Sequence, residues 1–101
     1  MLYLPTIKEL RALLEAKTWS AREEGYPSGL THYRLAVMPG LVHLAVEHDS
    51  REQRVYWQVV AGGVIEKIGW TRSRASSQQR AVREGAKLMH GVLKDLYGEG
   101  E

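Results

Sequence analysis

The chain contains no cysteine, which excludes disulfides, thiolate metal sites and thiol catalysis together. It also lacks a long apolar run. The longest nearly uncharged stretch, Val59 to Ile65, holds two glycines and falls far short of the roughly 20 residues a membrane helix needs. The start, Met1-Leu2-Tyr3-Leu4-Pro5, has no basic region followed by an apolar one, so no targeting segment is expected and a cytoplasmic location is the default. No phosphate-cradling loop is present, because Gly62, Gly63 and Gly69 fit neither G-x-G-x-x-G nor G-x-x-x-x-G-K-[ST]. H-E-x-x-H is absent, and His43 and His48 stand at opposite parity on an expected strand, where they point to opposite faces. No metal and no cofactor are expected. Nothing in the sequence sets Ser50, Ser73, Ser76 or Ser77 beside a histidine, as a serine nucleophile requires.

What is present is an ordinary globular composition, 44% hydrophobic and 26% charged in 101 residues. That fits one small α+β domain over residues 1–101, with 98–101 a frayed acidic tail. The net charge of +2 is small but unevenly placed. Between residues 67 and 94, Lys67, Arg72, Arg74, Arg80, Arg83, Lys87 and Lys94 face a single acid, Glu84. Such asymmetry bears on partners and steering rather than on fold.

Thr6-Ile7-Lys8-Glu9 reads as a capping box. Ile7, Leu10 and Leu14 follow at helical spacing, with Leu13 widening the stripe. This helix runs to about Lys17; it either continues to Glu24 with Gly25 as cap, or a separate turn starts at Ser20. Gly25 to Gly29 is a loop. Leu30 to Met38 and Leu41 to His48 alternate as strands around a Pro39-Gly40 turn. A two-residue loop there sets His32 across from Glu47 and Leu35 across from Leu44. Asp49 to Gln53 turns the chain, Arg54 to Ala61 is a third strand, Gly62-Gly63 reverses it, and Val64 to Trp70 is a fourth. Thr71 to Ser77 is a basic loop ending in a cap at Ser76 or Ser77, and a helix spans about Gln78 to Tyr97. Val82, Ala86, Met89, Val92, Leu93 and Leu96 share its apolar side. The expected architecture is a two-layer α+β domain: an antiparallel sheet of three or four strands, with the N- and C-terminal helices on one face.

The order helix, three strands, helix is similar to that of double-stranded-RNA-binding domains, and Ala81-Val82-Arg83-Glu84-Gly85-Ala86 resembles the small-residue pattern of their last helix. The resemblance is confined to the C-terminal part of the chain. It departs at Gln78 and Gln79, where that family carries a lysine pair, at the extra strand from Val64, and at the long segment 18–29.

Two surfaces emerge as candidate sites. Arg80, Arg83, Lys87 and Lys94 fall within roughly 60° of one another on the side of the last helix opposite its apolar stripe. With Arg72 and Arg74 in the preceding loop they form a basic ridge suited to the phosphates of DNA or RNA. On the outward sheet face, His32, Arg34, His43, Tyr56 and Gln58 make a mixed polar and aromatic surface suited to a protein partner. His32, His43 and Glu47 are a possible acid–base cluster, although cross-strand pairing of polar groups on a solvated face accounts for the same residues. Trp57 is expected in the core and Trp70 at its edge. The reading is a small non-enzymatic module associated with nucleic acid. The alternative is an accessory protein of the kind phages and mobile elements encode, which binds and inhibits or modulates a larger host protein.

Overall fold

The computed structural model describes residues 3–25 and 29–98. Two helices and five strands follow in the order α1 (Ile7–Glu15), β1 (Ser20–Glu23), β2 (Leu30–Met38), β3 (Val42–Asp49), β4 (Val55–Ala61), β5 (Val64–Thr71) and α2 (Arg74–Leu93), closed by a π-helical turn at Lys94–Gly98. The sheet is an antiparallel meander in the order β1-β2-β3-β4-β5. The α+β class and the terminal helices match expectation. The sheet has five strands rather than three or four.

The capping box forms as expected. The Thr6 amide donates to Glu9 Oε1 at 2.9 Å and the Glu9 amide donates to Thr6 Oγ1 at 3.1 Å. The helix then stops at Glu15, short of Lys17. Ser20 to Glu23, expected as more helix or a turn, forms β1 against the edge of β2, with Ser20 opposite Arg34 and Glu23 opposite Thr31. The backbone groups offered by β2 outweigh local helix propensity over these few residues.

The first hairpin keeps the expected register, His32 opposite Glu47 and Leu35 opposite Leu44. Its loop is longer, because Met38 pairs with Val42 and a bulge between Ala36 and Met38 takes up the difference. The Leu41 amide donates to the Met38 carbonyl, and Gly40 supplies φ +77°, as a type II Pro-Gly turn requires. Gly62 and Gly63 both have positive φ and join Ala61 to Val64 in a two-residue reversal.

The second helix begins earlier than the sequence suggests. Ser73 is the cap, its Oγ accepting from the Ser76 amide at 3.1 Å. The segment 74–77 is therefore helix, not loop. Fully buried Ser77 donates to the Val55 carbonyl at 2.6 Å and shares a 2.7 Å hydrogen bond with the Thr71 hydroxyl. These bonds pin the first turn of α2 to the ends of β4 and β5. Lys94 to Gly98 adopt π geometry rather than continuing the α-helix. Of the expected frayed tail at 98–101, Gly98 closes the π turn, while 99–101 lie outside the described residues, as do residues 26–28 of the expected loop.

One face of the sheet is covered. Leu35, Val37, Val42, Leu44, Val46, Val55, Trp57 and Val59 point into a core shared with Leu10 and Leu14 of α1 and Ala81, Val82 and Ala86 of α2. Small residues let α2 approach closely: a Cβ at Gly85 would lie 2.6 Å from Leu44 Cδ2. Ile7 and Leu13, expected in the α1 stripe, stay exposed, as does Leu96. No helix among the described residues is long and apolar enough to cross a membrane.

Candidate phosphate-binding ridge and the open sheet face

Helical geometry carries Arg80, Arg83 and Lys87 to the outer side of α2, away from buried Ala81, Val82, Gly85 and Ala86. Arg80 and Arg83 form no hydrogen bond or ion pair among the described residues, and the same holds for Arg72 and Lys94. Lys87 approaches Glu84 at 3.5 Å, and Glu84 also meets Lys67 of β5 at 3.7 Å. The single acid of the basic segment is thus occupied at the side of the ridge.

The structure divides the expected ridge. Arg74 leaves it. Because α2 starts at residue 74, this side chain lies nine residues and about 180° from Arg83. Its guanidinium sits 5.4 Å from the Tyr33 ring centroid and donates to Gln78 Oε1 at 2.9 Å. Lys94 falls in the π turn, whose different hydrogen-bond step breaks the helical line.

A residue outside the sequence reading joins instead. Arg11 of α1 lies across from Arg80 and Arg83, and together with Thr71, Ser76 and Gln79 they line a shallow cavity of about 210 Å³. Glu15 stands 3.4 Å from Arg11 and partly balances it. The Thr71 hydroxyl is committed, donating to Ser77 and accepting from the Ser73 amide. The side chains of Ser76 and Gln79 have no partner among the described residues. The only advance signal for Arg11 was its place one residue after Leu10; which helix α1 packs against is a tertiary matter.

Among the described residues no helix covers the opposite face of the sheet, and the register sets its outward residues in rows. Arg22, His32, Glu47, Tyr56 and Trp70 form one row, and Ser20, Arg34, Ala45, Gln58 and Ile68 the next. All five residues expected on this surface, His32, Arg34, His43, Tyr56 and Gln58, therefore share it. Trp70, expected at the core edge, faces outward beneath Arg54, whose guanidinium lies 4.5 Å from the ring centroid.

The acid–base cluster does not assemble as a triad. His32 Nε2 meets Glu24 Oε1 at 2.9 Å, and its Nδ1 lies 3.9 Å from Glu47. His43 turns to Arg34, whose Nη2 donates to Nδ1 at 3.3 Å. Partial burial and the Arg34 charge hold the His43 pKa below its ordinary 6.5. His43 is accordingly neutral at pH 7, with its proton on Nε2. Protonation then favours the unfolded chain. The contribution of His43 is complete above its ordinary pKa and declines as pH falls toward the folded value. A histidine NMR titration is expected to place the His43 midpoint below 6.5, and Arg34→Ala to raise it part of the way back. An unchanged midpoint in that variant would remove Arg34 as a cause. Among the described residues no group of three His, Asp or Glu side chains is placed to hold a metal ion.

The fold and these surfaces define a small α+β domain with one basic helical ridge and one open sheet face. Comparison with known proteins finds no matching family model, no matching curated protein and no matching solved structure.

Proposed function

We propose that this chain is a small non-catalytic module that binds nucleic acid through its phosphates. One observation carries the reading: Arg80 and Arg83, neighbours on α2, border a concave site with Arg11, Ser76 and Gln79, and among the described residues the side chains of Arg80, Arg83, Ser76 and Gln79 have no partner. Guanidinium groups match phosphate oxygens as planar, bidentate donors. A core helix needs a polar outer side, but it does not need arginines from two helices converging on one concavity. Lys87 extends the positive surface one helical turn beyond Arg83, and exposed Arg72 precedes the helix. Trp70, the most exposed tryptophan, points from the other sheet face, away from the ridge. Contacts of this kind read the backbone and are independent of sequence.

Fluorescence anisotropy with labelled DNA and RNA duplexes across a salt series tests the reading. Contacts from Arg11, Arg80, Arg83 and Lys87 give a log–log slope of roughly −3.6 on duplex DNA. Absence of binding to either duplex at about 50 mM salt would discard it.

A second reading has one observation in its favour, the uncovered sheet face that gathers His32, Arg34, His43, Tyr56 and Gln58. An accessory protein that modulates a larger host protein can use such a face. In that case Tyr56→Ala weakens partner binding more than any change on the ridge.

A further inference from the structure

The two edges of the sheet are built differently. β1 spans only the four residues Ser20–Glu23, and a short edge strand discourages strand addition. β5 is eight residues long, contains no proline and, among the described residues, pairs only with β4. Its Lys67 lies on the inner face, opposite Val59, where it meets Glu84. Meanwhile Val64, Ile65, Ile68 and Trp70 are 58, 51, 59 and 45% exposed. A long apolar edge with free backbone groups is a template for another strand.

The pattern along β5 fits a second copy of itself. Ile65, Ile68 and Trp70 lie on the outer face, opposite Val60, Gln58 and Tyr56, and the bulge passes over Glu66. A two-fold axis perpendicular to the sheet at Ile68 places Ile68 opposite Ile68 of the second copy. The next step sets Lys67 opposite Gly69, so the long inner side chain meets the one without a Cβ. One further step, again passing over Glu66, sets Ile65 opposite Trp70. Every outer pair is then apolar against apolar, and antiparallel partners share a face as the symmetry demands. An isologous contact needs this self-complementarity.

We infer that the free edge of β5 pairs antiparallel with β5 of a second copy about a two-fold axis at Ile68, joining the two sheets into one of ten strands. The inference uses none of the ridge residues and stands independently of nucleic-acid binding.

Sedimentation equilibrium of the wild type, Ile68→Lys, Ile68→Glu and an equimolar mixture of the two variants tests it, with circular dichroism to verify the fold. The wild type is expected to be dimeric. Each variant alone brings like charges together at the axis and raises the dissociation constant at least about 100-fold, whereas the mixture restores a dimer. In this cysteine-free chain, Ile68→Cys should also give a disulfide-linked dimer under mild oxidation. Antiparallel partners have Cα atoms about 4.5–5.5 Å apart, within reach of a disulfide. Val64→Cys, as exposed but away from the axis, should cross-link far less. A wild type that stays monomeric at about 100 μM would leave the edge to another protein's strand and overturn the inference. So would a dimer indifferent to Ile68→Lys, a mixture of the charge variants that stays monomeric, or equal cross-linking at both positions.

Discussion

Reversal of Arg80 and Arg83 to glutamate is expected to lower affinity for duplex DNA at least about 100-fold at about 50 mM salt, while the protein remains folded. Both side chains are exposed and bond to nothing among the described residues, so their replacement removes no internal contact. Surface changes of this kind cost within about ±0.5 kcal/mol each. Arg80→Glu adds a few tenths by setting a carboxylate four residues before Glu84. The effect on binding is far larger, because each reversal removes a phosphate contact and replaces attraction by repulsion. Loss of two contacts should also flatten the salt dependence by roughly 1.8. Arg74→Ala is the informative contrast. It belongs to the same basic segment, yet it stacks on Tyr33 from the opposite side of α2, and its loss should leave affinity unchanged. Equal losses in Arg74→Glu and in Arg83→Glu alone, which change the net charge by the same amount, would mean that binding senses net charge and not the ridge.

The largest stability effect is expected where β5 passes over Trp57. A Cβ at Gly69 would lie 2.6 Å from Trp57 Cζ2 and 2.7 Å from Cε2 and Nε1. The indole is only 6% exposed and is packed into the core, so a rigid ring must shift as a whole. Gly69→Ala should therefore cost about 1–3 kcal/mol, as overpacking does. Stiffening of the unfolded chain offsets only about 0.4–1 kcal/mol of that. Removing the ring instead, in Trp57→Ala, should cost about 3–5 kcal/mol, a large share of the roughly 5–15 kcal/mol a domain of this kind possesses. The two sites are coupled. In a Trp57→Leu background Gly69→Ala should cost markedly less, which urea midpoints of the four proteins will show. A Gly69→Ala midpoint equal to that of the wild type would separate the glycine from the ring.

Much of this fold was legible in the order of the residues. Period-two alternation over 30–38, 42–49 and 55–61 determined which side chains enter the core, because a strand cannot turn one residue inward without turning the next outward. Thr6 and Glu9 specified the start of α1 by a contact three residues long, and the paired glycines at 62 and 63 specified a reversal that L-residues resist. Helical spacing alone set Arg80, Arg83 and Lys87 on one side of α2. What the tertiary structure decided was every feature that depends on a distant partner. Residues 20–23 became strand because the edge of β2 offered hydrogen bonds that no local sequence reveals. The start of α2 at residue 74 depends on Ser77 reaching the Val55 carbonyl, a contact spanning 22 residues, and that earlier start turned Arg74 away from the ridge. Arg11 entered the site only because α1 lies alongside α2. Spacing determines the direction of a side chain within its own element; packing between elements determines what that side chain meets.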